Sequence, residues 1–434
     1  MNYSVTLVWT VSTEGRITRR GENMRCLLLV AFLTVASCHE FKTIHSWNYV
    51  EFNFPNETIQ NALINSGDYV PENNMPLGVQ VWEDKIFVTV PRWKNGVASN
   101  LNYFTKGDQS KTPKLNPYPD WETNYIKTPD GIVSIFRVRV DACDRLWGVD
   151  TGVDDILGNS TNVRPVRIFV FDLKTDKILR IYTLKESDKT ANSFFAESTV
   201  DAEPDNCENA HLYISDLGGY GMVVYSWAKN DSWRITHNYF YFDPLNGNYN
   251  VSGFNFQWTD GLFGMALSAP GKDGYKTLYF HAMSGVTEFS VSTEVLQDAT
   301  LAKTKDYYAF HVEGHKGPCT QGPTSLIDTA TGIDYFAQVL RNGIACWDTA
   351  VELNSNTFVL AAEDNATLVF PNDLSIDRST NMLYVLSDNL PQFLFSQYDM
   401  KKRNFFLTAA SLDTLTQICK KQNVNMERRL PHIL

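Results

Sequence analysis

The chain has 434 residues, 43% of them hydrophobic, and its 38 Lys and Arg against 49 Asp and Glu give a formal charge of -11. That size buries a large core in one or two domains and excludes a disordered tail. The acidic charge is spread along the chain with no basic stripe, which favours solubility and excludes a general affinity for nucleic acid.

The N-terminus reads as a targeting signal. Arg16, Arg19, Arg20 and Arg25 precede the 13-residue apolar run "CLLLVAFLTVASC", which is too short to span a bilayer and ends in small residues. Residues 1–38 are therefore expected to be a signal peptide cleaved after Cys38, with Met24 as an alternative start. Residues 39–434 are expected to form one domain with a short C-terminal tail, secreted and without a membrane span. Asn-x-Ser/Thr sequons at Asn56, Asn159, Asn230, Asn250 and Asn365 agree with export and predict glycosylation.

The aromatic fraction of 13% favours strands, because rings pack well on a pleated surface. A unit of two alternating strands around a polar turn recurs six times, at 77–93, 134–152, 196–219, 264–285, 324–343 and 372–391. One or two further strands usually follow each copy. Four-stranded units at this spacing predict an all-β fold, a six-bladed β-propeller with a central channel. The early strand Trp47–Pro55 is expected to close the ring beside the last blade, and no long helical period is evident.

Five cysteines remain after removal of the signal, an odd set for a secreted chain. Cys143 and Cys207 fall in equivalent turns of neighbouring blades and are expected to bond. Cys346 with Cys419 would pin the tail to the fifth blade, leaving Cys319 unpaired.

Polar residues gather where strand ends crowd the channel mouth. Asp260, Asp373 and Asp388 offer charge, Asn342 and Asn372 amides, Thr324 and Ser325 hydroxyls, and Phe263, Ile344 and Phe370 apolar walls. An aromatic amine needs such acceptors for its ammonium group and such walls for its ring. Each Asp taken alone is more often a turn cap. No GxSxG, P-loop, HExxH or CxxC motif is present, and no cofactor or metal is expected. A calcium site built from Asp216, Asp260, Asn342 and Asn372 is the alternative that oxygen ligands permit.

The motifs "RLWGVDTG", "YISDLGGYGMVVYSW", "DGLFGMALSAP", "NGIACWD", "FPNDLSID" and "LYVLSDNLPQF", in this order, resemble the yellow/major royal jelly protein family of insects. The resemblance runs from about Trp47 to Cys419. It implies a secreted six-bladed propeller, and a function among pigmentation and cuticle proteins, dopachrome-converting enzymes, salivary binders of biogenic amines and food proteins. It marks 324–325 and 342–344 as the strongest ligand segments. The expected partner is a small aromatic amine or catechol-derived molecule, bound at the channel mouth in melanin, cuticle or eggshell chemistry. The runner-up is a dopachrome isomerase, for which His281 and Asp260 are candidate bases; a structural or nutritive extracellular protein is third.

Overall fold

The computed structural model describes residues 40–300 and 307–427, with side chains omitted over 422–427. The expected signal peptide lies outside the described residues. Glu40 onward forms one compact unit.

Six four-stranded antiparallel sheets make the six blades of a propeller. Their inner strands are Val79–Trp82, Ile135–Val140, Glu197–Asp201, Leu262–Leu267, Ser325–Asp328 and Pro371–Asp377. Each inner strand touches the next, and the last touches the first, so the ring is closed. The closing strand is Lys42–Trp47, which pairs antiparallel with Phe405–Ser411 as the outer strand of blade 6. The expected closing segment Trp47–Pro55 is thus displaced. Beyond Trp47 the chain leaves the sheet and makes only an isolated bridge from Phe52 to Leu115.

Branched and aromatic side chains on the blade faces form the interblade cores. Trp147, Leu212 and Tyr225 lie between blades 2 and 3, and Leu278, Phe280 and Trp233 between blades 3 and 4. Hairpin turns hold Asp144, Asn230, Asn342 and Asn381 at φ of 57°, 46°, 45° and 56°. These side chains tolerate the left-handed region better than most L-residues. Gly264 has a different reason: a Cβ there would sit 2.3 Å from the His281 ring.

Among the described residues, two helices of ten residues or more depart from the all-strand expectation. Glu57–Ser66 is capped by Asn56, whose side chain accepts from the Ile59 N–H, and buries none of its side chains fully. The C-terminal helix Leu412–Glu427 docks Leu412, Leu415 and Cys419 into the core between blades 5 and 6. Cys346 bonds Cys419 there, and Cys143 bonds Cys207 between the turns that join the first two strands of blades 2 and 3. Cys319 is free and exposed. No helix among the described residues is long and apolar enough to cross a membrane.

Candidate functional site: a channel divided by a salt-bridge layer

The face on which the inner strands begin is called upper here. In blade 2 the inner strand reads "IFRVRV", and the period of two sends Arg137 and Arg139 to the same side. Glu197 opens the inner strand of blade 3, and Asp373 lies near the start of that of blade 6. A guanidinium nitrogen of Arg139 donates to both oxygens of Glu197 at 2.9 Å and to Asp373 Oδ1 at 2.9 Å. Arg137 Nε stands 3.4 Å from Glu197 Oε2 and 3.7 Å from Asp373 Oδ1. Its guanidinium also donates to the Ala196 carbonyl at 2.9 Å, to the Asn372 carbonyl at 2.8 Å, and to the Asn372 side-chain oxygen.

All four charges are buried, and two cations cancel two anions. Removing one member would strand the others without water, which costs far more than the assembled group gains. Burial pulls Arg137 below its ordinary pKa despite Glu197 and Asp373. Burial opposes the charge on Arg139 as well, but Asp373 and Glu197 together outweigh it and hold that pKa up. Burial raises Glu197 against the pull of both arginines. Arg137 lines an upper cavity and Arg139 a lower throat, so this layer lies between the two.

Aromatic side chains dominate the upper cavity. Trp93, Phe136 and Phe194 pack edge to face or tilted, with Phe136 centroids 5.0 Å from each of the other two. Opposite them, Trp258 stacks on Phe370 at 6.2 Å, and Arg137 lies 4.9 Å from the Phe263 centroid. Asp260 is the carboxylate on the lining, and among the described residues no cation pairs with it. Burial pushes its pKa up to about 6, with only a hydrogen bond from the Trp258 side chain favouring the ionised form. Trp93 Nε1 is buried there without a hydrogen-bond partner. The walls approach closely and leave about 20 Å³, the space of a water molecule.

Of the residues singled out in the sequence, Asp260, Phe263, Phe370 and Asn372 line this cavity. Asp373 sits below it in the salt-bridge layer. Asp388 is buried beside it, accepting from Asn372 Nδ2 at 2.6 Å and from the Leu390 N–H at 3.0 Å. Burial pushes the Asp388 carboxyl up to about 8, although the Asn372 hydrogen bond opposes this. Thr324 and Ser325 are buried next to Pro323, which does line the cavity, and Ser325 Oγ has no partner.

Two expected ligand residues lie elsewhere. Asn342 occupies a hairpin turn and donates to Asn365 Oδ1 at 2.7 Å, while Ile344 is enclosed in the core between blades 5 and 6. The candidate base His281 is also off the cavity lining, buried between blades with Nδ1 at 3.0 Å from Glu288 Oε2. Burial lowers its pKa despite Glu288. Asp216 is taken up by Arg234 at 2.7 Å and by the Phe194 and Gly219 N–H groups, so the calcium set does not converge.

Sequence reasoning missed Trp93, Phe136, Arg137, Phe194 and Trp258. The paired arginines of "FRVRV" carried a signal, since alternation puts two charges on one side of an otherwise apolar inner strand.

Comparison with known proteins decides the family. The model of the family described as major royal jelly protein matches residues 133–419. The chain belongs to the major royal jelly protein family. It is 39% identical over 408 residues to Protein yellow of Drosophila melanogaster, covering 91% of this chain and 74% of the relative. Protein yellow of Drosophila simulans matches to the same extent, 39% over 408 residues. Among solved structures, a luciferin-regenerating enzyme is similar at TM-score 0.43 and 12% identity, covering 78% of this chain and 92% of its own, too distant to bear on the site. Within the major royal jelly protein family the channel described above is therefore read from this chain's own residues.

Proposed function

We propose that this family member is a secreted glycoprotein that binds a small aromatic cation, a catecholamine-type or other biogenic amine, in the upper cavity. The observation that carries the reading is a cavity walled by aromatic rings around a single carboxylate without a cationic partner among the described residues. Ring faces attract a cation, and a desolvated carboxylate holds an ammonium more strongly than one in water. Trp93 Nε1 supplies a donor for an oxygen at the far end of the guest, as a catechol has. Because the walls leave so little free space, a ring-sized guest displaces at least one side chain as it enters.

Arg137 does not repel such a guest in proportion to its formal charge, since Glu197, Asp373 and Asn372 already engage it. Export is supported by the disulfides and by the exposure of all five sequon asparagines. The family resemblance supports a role in melanin, cuticle or eggshell chemistry.

A second reading, isomerisation of dopachrome, draws on Asp260. A carboxylate with a pKa near 6 is a suitable proton acceptor at neutral pH, and the Trp93 N–H is a donor for a developing phenolate. One experiment addresses both: titrate the purified protein calorimetrically with dopamine and serotonin, and follow the absorbance of dopachrome in its presence. Heat of binding without dopachrome loss supports the binder; accelerated loss supports the enzyme; neither removes the upper cavity as the functional site.

A further inference from the structure

Below the salt-bridge layer the channel opens again. Every inner strand contributes to this lower throat: Gln80 from blade 1, Val140 from blade 2, Val200 from blade 3, Leu267 from blade 4, Leu326 from blade 5 and Ile376 from blade 6. Its free volume is about 260 Å³, against about 20 Å³ above the layer. The five aliphatic side chains pack one flank on an interblade core yet stay only partly covered. They form a ring of apolar surface around a void large enough for a small molecule.

Cations outnumber carboxylates among the side chains that line the throat. Arg139, Lys276 and Arg378 reach the throat, where the lining carries one carboxylate, Asp328, and the other carboxylates that pair with these cations lie behind it. Asp328 is already engaged by Arg378, by the Thr331 hydroxyl at 2.5 Å and by the Ala330 N–H at 3.2 Å. The carboxylates that balance Lys276 are Asp201 at 2.9 Å and Glu203 at 2.6 Å, which line the neighbouring groove and not the throat. Those that balance Arg139 lie in the layer above. Arg378 keeps 43% of its side chain exposed, against 11% for Lys276 and 10% for Arg139, and is the most accessible of the three donors.

We infer that the lower throat is a second binding site and that it takes a small aliphatic monocarboxylate. The chain lies against Val140, Val200, Leu267, Leu326 and Ile376, and the carboxylate reaches the guanidinium of Arg378 and the ammonium of Lys276. An amine with the same chain meets three cations. A short polar anion gains the charge but not the apolar contact. The site stands apart from the upper cavity, because the layer of Arg137, Arg139, Glu197 and Asp373 lies between them, so its fate does not depend on the amine reading.

The test is calorimetry of the full secreted chain with octanoate, with acetate and octylamine as probes of each half of the requirement. Octanoate should bind once per chain, and acetate and octylamine at least about tenfold more weakly. Leu326→Trp, which fills the throat, and Arg378→Gln, which removes the exposed charge and keeps an amide that can still donate to Asp328, should each weaken octanoate by about tenfold or more. Thermal melting confirms that both variants fold, and Val200→Phe replaces Leu326→Trp if that one does not. Saturating dopamine should leave octanoate binding unchanged. Octylamine binding as tightly as octanoate, displacement by dopamine, wild-type affinity in both variants, or no heat from a folded wild-type protein would each overturn the assignment.

Discussion

Replacement of Asp260 by Asn separates a ligand carboxylate from a turn cap, because the two roles give opposite signs in stability. The Asp260 pKa lies at about 6 against 3.8 for an ordinary Asp, the cause being burial. One pKa unit corresponds to about 1.4 kcal/mol, so the ionised form costs the native state about 3 kcal/mol at most. Partial exposure to the cavity brings this to about 1–3 kcal/mol. The native state holds the proton more tightly than the unfolded chain does. The neutral form's advantage is therefore full below the unfolded pKa and lost as pH rises through about 6. At neutral pH the Asn variant, which never ionises, should be more stable by about 1–3 kcal/mol. Its amine affinity should fall. An ammonium about 4 Å from the carboxylate at an effective dielectric near 20 interacts by about 4 kcal/mol. The ring faces retain part of the attraction, leaving an expected loss of about 1–3 kcal/mol. Wild-type affinity should also decline below about pH 6, by at most about tenfold per pH unit, while the variant stays flat. Calorimetric titration with dopamine between about pH 5 and 8, paired with thermal melts, reads both quantities. A lower melting temperature with undiminished affinity would make Asp260 a structural residue and refute the site.

Asn372→Ala should lower stability by about 1–3 kcal/mol by chemical denaturation, since its side chain serves both Arg137 and Asp388. Cys346→Ser with Cys419→Ser should cost about 2–4 kcal/mol, read as faster hydrogen exchange over the C-terminal helix that carries Cys419. EDTA should leave amine affinity unchanged if protein groups alone meet the ammonium, as proposed; loss restored by calcium would favour a metal-built channel instead. Enzymatic deglycosylation of protein collected from the medium of expressing insect cells should lower its mass at sites among Asn56, Asn159, Asn230, Asn250 and Asn365, all exposed; an unchanged mass would show that the sequons are not used.

The propeller was legible because its signal is repeated. Six alternating hairpins survive individual irregularities such as the bulge between Leu262 and Gly264. The closing strand was misplaced for a reason of the same kind: "WNYVEFNFP" alternates more cleanly than "KTIHSW", yet its rings serve another cluster. Phe52 and Phe54 pack on Tyr69 and Trp121. Helix Glu57–Ser66 went unseen because its apolar period, Ile59, Ala62 and Leu63, runs for a single repeat and buries no side chain fully. The channel was half legible. Residues at strand ends, such as Asp260 and Asn372, could be placed at the mouth by counting strand ends, which is a local operation. The aromatic walls could not, because Trp93, Phe194 and Trp258 come from loops whose paths depend on tertiary packing.

The salt-bridge layer lies between these cases, and its register explains both halves of the channel. Arg137, Glu197 and Asp373 each stand three residues before an aliphatic residue of the lower throat, namely Val140, Val200 and Ile376. Charges at matching depth on three inner strands meet at the axis, where the ring of blades brings residues distant in sequence within hydrogen-bond reach. An isolated strand bearing such a charge reads as solvent-facing. Only closure of the ring turns three ordinary alternations into one neutral, buried cluster, and that cluster makes two chemically different cavities of one channel. An Arg137→Met variant should therefore strand Glu197 and Asp373 against Arg139 alone, and cost about 3–5 kcal/mol, as the loss of one member of a buried ion group does. Denaturation with a loss well under about 1 kcal/mol would mean that the layer is hydrated like a surface pair, and the division of the channel would have to be abandoned.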